Sequence, residues 1–223
     1  YKALYNNTQN NVSAFGERAA FSNTTGTYNT AIGMVAGYST TTGASNTSLG
    51  YESLYSNITA SNNTAIGYKS LEKSTNNHNT AIGYASGSSL TTGENNTLIG
   101  FDAQPSSADV SNEVTIGNDN VTKTRLKGEV QTTQDMIVNE VTVGKGTGSS
   151  NTNTVVGTGA FANNTSGDNN VAVGILAMRD NQTGQSNTAI GRYSGQLNVD
   201  GSENTYVGNN SGRDNVSGIK NTN

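Results

Sequence analysis

The chain has 223 residues, of which only 31% are apolar and 13% charged, with 27 Gly, one Pro, no Cys and a formal charge of -4. Ordinary domains run at about 45–50% apolar and 25% charged, so a thick single core is excluded. The absence of Cys excludes a disulfide framework and thiol chemistry, and the weak negative charge leaves no basic face for nucleic acid.

The composition is not that of disorder, which favours Pro, Glu and Lys. Neither a leader pattern nor a membrane-spanning run of about 18 apolar residues is read. A polar, uncharged, Gly/Asn-rich chain instead suggests many turns and a thin repeated core.

The first predicted element is an array over residues 1–117. A Gly preceded by a large apolar residue recurs at Gly16, Gly33, Gly50, Gly67, Gly83, Gly100 and Gly117, in steps of 17 with one step of 16 from Gly67 to Gly83. The pentapeptide NTAIG opens this pattern at 29–33, 63–67 and 79–83, and returns at 187–191.

Each unit has the same columns. The position three before the Gly is mostly Thr, the one two before is mostly small (Ala31, Ser48, Ala65, Ala81), and the one directly before is Ile, Leu or Phe. Positions two apart on a strand share a face. The expected core column is therefore Ile32, Leu49, Ile66, Ile82, Ile99 and Ile116, with Thr beside it and the small column facing the other way for close packing. On this reading Ile82→Asp buries an unpaired charge and destabilises strongly.

Asn four before the Gly (Asn29, Asn46, Asn63, Asn79, Asn96) predicts a hydrogen-bonded ladder from turn to turn. T-G or S-G seven before it predicts a turn. After the Gly a second short strand is expected, opened by Tyr51, Tyr68, Tyr84 or Phe101, with Ser53, Ser70, Ser86 or Ala103 two later.

Residues 118–152 lose the repeat. Alternation in VTKTRLKGEV and MIVNEVTVG still reads as strand, with Lys123, Arg125, Lys127 and Lys145 against Glu129, Asp135 and Glu140. A charged β connector is favoured over a binding or assembly module, because repeat arrays carry atypical units at their ends.

A second array over 153–223 restarts the repeat at Gly157, Gly174, Gly191 and Gly208, with Asn153, Asn170, Asn187 and Asn204 in the Asn column. Val156, Val173, Ile190 and Val207 extend the expected core column. Tyr1-Lys2-Ala3-Leu4 matches Tyr68-Lys69-Ser70-Leu71, and Asn221-Thr222-Asn223 matches Asn204-Thr205-Tyr206, so both termini are expected to fall in mid-repeat. The whole predicts an all-β, parallel β-roll or β-solenoid of 17-residue turns, because one such unit cannot bury its own apolar face.

N-T-A-I-G followed by Y-x-S in tandem resembles the NSVAIG-type repeat of YadA-like heads, found in trimeric autotransporter adhesins. The 17-residue unit with its N-T-T-G-like turn is more similar to repeats in bacteriophage tail fibres, as is the segment SNEVTIGNDNVTKTRLKGEVQTTQD. The resemblance implies a left-handed roll, a homotrimer about one axis, an extracellular place on a virion or a bacterial surface, and attachment to a host glycan or protein receptor.

Against this stand three other classes. A glycan-cleaving enzyme needs paired carboxylates about 5–9.5 Å apart, and Asp102, Asp109, Glu113 and Asp119 at the end of the first array read better as a solvated cap. No catalytic residue, cofactor or metal is expected. His78, the sole histidine, sits in a variable polar column with Tyr28, Ser45, Asn62 and Asn95. Ice binding is set aside because Thr shares the supposedly inward face of Ile. The triplets at Asn57, Asn95, Asn163 and Asn215 arise from composition rather than glycosylation. The tyrosines read as packing beside the Gly bend rather than as sugar platforms. No column singles out a receptor site.

Overall fold

The computed structural model describes residues 2–127, 130–149 and 152–222. Tyr1, Gly128, Glu129 and Asn223, which entered the reading above, lie outside the described residues. The fold is all-β, a parallel β-solenoid without helix among those residues. It forms two compact units that meet in sequence between Arg125 and Leu126.

The first unit stacks β1 (Ser13–Phe15), β2 (Thr30–Ile32), β3 (Thr47–Leu49), β4 (Thr64–Ile66), β5 (Thr80–Ile82), β6 (Thr97–Ile99) and β7 (Val114–Ile116) in chain order as one parallel sheet. Register keeps like beside like: Thr30 pairs with Thr47 and Ile32 with Leu49. The 16-residue step keeps it too, with Ile66 against Ile82, so the missing residue is absorbed in the turn.

The second unit holds β8 (Met136–Val138), β9 (Val141–Gly144), β10 (Thr154–Gly157), β11 (Val171–Val173), β12 (Thr188–Ile190) and β13 (Thr205–Val207). β10 to β13 are parallel rungs. β8 and β9 form an antiparallel hairpin that pairs onto β10. Part of the segment read as a connector is therefore built into this sheet. The Asp135 carboxylate pins its end, accepting from the Lys145 and Gly146 N–H groups at 2.7 Å each.

The strand faces are the reverse of the expectation. Ala31, Ala65, Ala81, Leu98, Val155, Ala172, Ala189 and Tyr206 point inward and are buried, whereas Ile82 is 39% exposed. Ile32, Leu49, Ile99, Ile116, Ile190 and Val207 are exposed with it, and Ile66, Val156 and Val173 are half-buried. The proposed core column is therefore an outer column. The reason is the thinness of the coil. Its two walls approach within one hydrogen bond, with Ser70 Oγ donating to the Ala81 carbonyl at 3.0 Å and Ser86 Oγ to that of Leu98 at 2.8 Å. A column held mostly to Ala or Ser is what that gap admits, with Leu98, Val155 and Tyr206 as the larger members.

The predicted second strand is also corrected. The stretch after each marker Gly is a run of turns in which non-glycine residues adopt left-handed backbone, such as Val35 (φ 52°), Leu54 (φ 52°) and Tyr193 (φ 58°). Its amides still bond from turn to turn: Leu54 N–H donates to Ser70 at 2.9 Å and Lys69 N–H to Tyr51 at 2.8 Å. The marker Gly is needed for two reasons. At Gly33 φ is 132°, and a Cβ there would lie 2.6 Å from the Gly50 carbonyl oxygen.

The Asn ladder forms as expected. Asn29 Oδ1 accepts the Asn46 N–H at 2.9 Å and Asn46 Oδ1 that of Asn63 at 3.0 Å, while the Nδ2 of Asn29 donates to the Gly43 carbonyl at 2.7 Å. A second buried Asn column, Asn23, Asn57, Asn164, Asn181 and Asn198, was not anticipated. Its members close the polar turn, as where Asn57 accepts from the Ala60 N–H at 2.9 Å. Asn57 is wholly buried, which removes it as a sugar acceptor.

Candidate functional site: the outward faces

What the solenoid offers to a partner is set by its outward columns. In the first unit Phe15, Ile32, Leu49, Ile66, Ile82, Ile99 and Ile116 stand in line on the sheet, with the Thr column parallel to them. Contiguous exposed apolar surface of this kind marks an interaction face.

Beside it runs an aromatic column. Tyr51, Tyr68, Tyr84 and Phe101 stack with centroids 5.3, 4.9 and 5.1 Å apart and planes within 14° of parallel. A second stack joins Tyr5, Phe21, Tyr38 and Tyr55. The packing role expected of the tyrosines holds, but the partners are other rings, turn upon turn. Stacking covers the ring faces that a sugar would use and leaves mainly edges to solvent.

Charges on this surface neutralise one another. Lys69 reaches Glu52 at 3.0 Å and Glu72 at 3.3 Å. The two carboxylates push the Lys69 ammonium pKa up. The Tyr51 hydroxyl holds the Glu52 carboxyl below its usual range, with Lys69 adding to the effect.

Three of the acidic residues at the end of the first array, Asp102, Asp109 and Glu113, are tied locally. Asp102 accepts from Gln104 at 2.7 Å and Asp109 from Ser107 at 2.8 Å. Glu113 accepts the Ser106 N–H at 2.9 Å and the Thr115 hydroxyl at 2.8 Å, and also the Ser106 hydroxyl. The Ser106 bonds lower its pKa, the direction opposite to that of a general acid in glycoside hydrolysis.

His78 is exposed in left-handed backbone (φ 61°), as are Tyr28, Ser45, Asn62 and Asn95 of its column. Its Nε2 lies 3.4 Å from Asn62 Nδ2. Among the described residues no three His, Cys, Asp or Glu side chains gather as a metal site.

No family model, no curated protein and no solved structure matches the chain.

Proposed function

We propose that the chain is a structural segment of a homotrimeric phage tail fibre that supports or mediates attachment to the host cell surface. The observation that carries this reading is the outward apolar column. A column of Ile, Leu, Val or Phe side chains, one on each rung of both units, needs cover, and a second and third copy packed side by side about an axis parallel to the stack supply it at about 25 cal/mol per Å² of apolar area. The number three, the left-handed coil and the extracellular place come from the resemblance to YadA-like and tail-fibre repeats.

Light scattering on the full chain tests it: a three-chain particle is expected, lost in Ile82→Asp with Ile190→Asp, and a stable monomer overturns it. The alternative is the head of a bacterial trimeric autotransporter adhesin. A coiled-coil stalk and membrane barrel encoded after this segment select that alternative, and a phage chaperone domain rejects it.

A second reading regains support from the corrected strand faces. The ground for setting ice binding aside was an inward Thr column, and Thr30, Thr47, Thr64, Thr80 and Thr97 share the outward face with Ile. The larger Ile ridge beside them favours protein packing over a flat ice-matching array. Thermal hysteresis in a freezing assay decides: none is expected, and a clear gap between melting and freezing overturns the fibre assignment of this face.

A further inference from the structure

The second unit carries an outward cluster with different chemistry. The guanidinium of Arg192 lies 4.2 Å from the centroid of the Tyr193 ring, and that of Arg213, from the next turn, lies 5.6 Å from the same centroid. Residues 21 apart in sequence become neighbours because the coil repeats every 17.

Each part is held. The Tyr193 N–H donates to the Ile175 carbonyl at 2.9 Å, which fixes the ring's backbone. Arg192 donates to the Tyr193 hydroxyl at 2.9 Å. Arg213 Nε donates to Gln196 Oε1 at 3.2 Å, and Gln196 is only 5% exposed, so an almost buried side chain orients this arginine.

The cluster is also under-neutralised. Arg179, in the same column as Arg213, is tied to Asp180 through Nε at 2.8 Å. Among the described residues the carboxylate paired with Arg213 is that of Asp214 at 4.0 Å, whose side chain is 82% exposed, so that pair is weak. Among the described residues no ion pair involves Arg192. Stacking on a ring restricts a guanidinium while leaving donor edges free, the arrangement suited to carboxylate or phosphate oxygens.

We propose that Arg192, Tyr193 and Arg213 form a binding site for the anionic groups of a surface polysaccharide, the carboxylate of a uronic acid or a sugar phosphate. The proposal rests on the attachment part of the fibre reading and names the ligand class. A chain with a formal charge of -4 repels polyanions generally, so their binding depends on a local cationic pair.

The test is calorimetric titration of the full chain with oligogalacturonate, its methyl ester and a phosphorylated mannan. Oligogalacturonate or the phosphomannan binds, the ester does not, and which polyanion binds more tightly identifies the source of the anion. Arg192→Gln and Arg213→Gln each weaken binding about tenfold, and raising salt weakens it further. Arg192→Lys, which keeps the charge but not the fork, falls between. Lys69→Gln, on the other unit, changes nothing. Equal binding of acid and ester, no binding of either polyanion, or titrations indifferent to both arginine variants in folded protein overturn the site. Light scattering on the same samples separates the two ideas: a trimer that ignores polyanions removes the site and keeps the fibre, whereas a monomer that binds them does the reverse.

Discussion

The two units handle aromatic residues in opposite ways. In the first, eight tyrosines and phenylalanines of two outer columns stack against one another and the core is Ala and Leu. In the second, Phe161 and Tyr206 are fully buried. The difference teaches what the coil tolerates inside. Tyr206 occupies the inward column held by Ala in neighbouring rungs, and the facing positions are Gly195 and Gly212, where an added Cβ would collide with its ring. Leu98 is matched by Gly87 in the same way, at 2.7 Å. A large residue enters the thin core only where the opposite wall gives up its side chain.

The sharpest way to break this picture is to exchange the faces. Ala81→Asp places a carboxylate where no water or partner reaches, and should cost several kcal/mol, on the order of 3–5. Ile82→Asp, one residue on, should leave the fold of the single chain within about 1 kcal/mol of the original and act on assembly instead. Urea unfolding of both variants checks this, and equal losses would restore the inward reading of the Ile column.

The aromatic contrast can be tested residue for residue. Tyr206→Ala removes a buried ring and should cost about 3–5 kcal/mol. Tyr68→Ala removes a ring from the middle of an outer stack and should cost about 1–2 kcal/mol, from two lost ring pairs. Denaturant midpoints of the two variants supply the comparison. The Asn ladder should show no contrast at all. Asn79 and Asn187 each accept from the next rung, at 3.1 and 2.9 Å to its N–H, and donate to a turn carbonyl at 2.9 and 2.8 Å. Replacement by Ala should cost about 2–4 kcal/mol at either site, since a buried donor and acceptor lose their partner.

The repeat, the strand positions and the Asn ladder were legible because they depend on spacing alone. The marker Gly reads the same way in every unit, and the Asn four before it in nine of them. Which strand face lies inside was not legible. Alternation defines two faces, and polarity then favoured Ile32 over Ala31, although the narrow coil admits only the Ala. The turn after the Gly was missed because its left-handed residues are Val35, Leu54 and Tyr193, types whose intrinsic preference is for other backbone. The Arg192–Tyr193–Arg213 cluster left only a faint signal: written in rows of 17, Arg192 and Tyr193 fall one and two places after their marker Gly, and Arg213 five places after the next.

The smallest predicted effect belongs to the place where the two Asn columns end differently. In the second unit the column continues from Asn204 to Asn221, whose N–H meets Asn204 Oδ1 at 2.9 Å. In the first it ends at Glu113, whose N–H meets Asn96 Oδ1 at 2.9 Å like any other rung. A carboxylate cannot donate to a further turn, so it accepts from Ser106 and Thr115 and ties the 105–107 loop to the last strand. Those bonds favour the ionised form and lower the folded-state pKa. Their stabilisation is therefore complete above the unfolded carboxyl pKa of about 4.3 and is lost as the pH falls through the lower folded value. Thermal melts of the original chain and of Glu113→Gln between neutral pH and about pH 3 should converge on acidification, because protonation brings the original closer to the variant. A gap between the two that stays constant with pH would mean that the carboxylate charge does not close the first array.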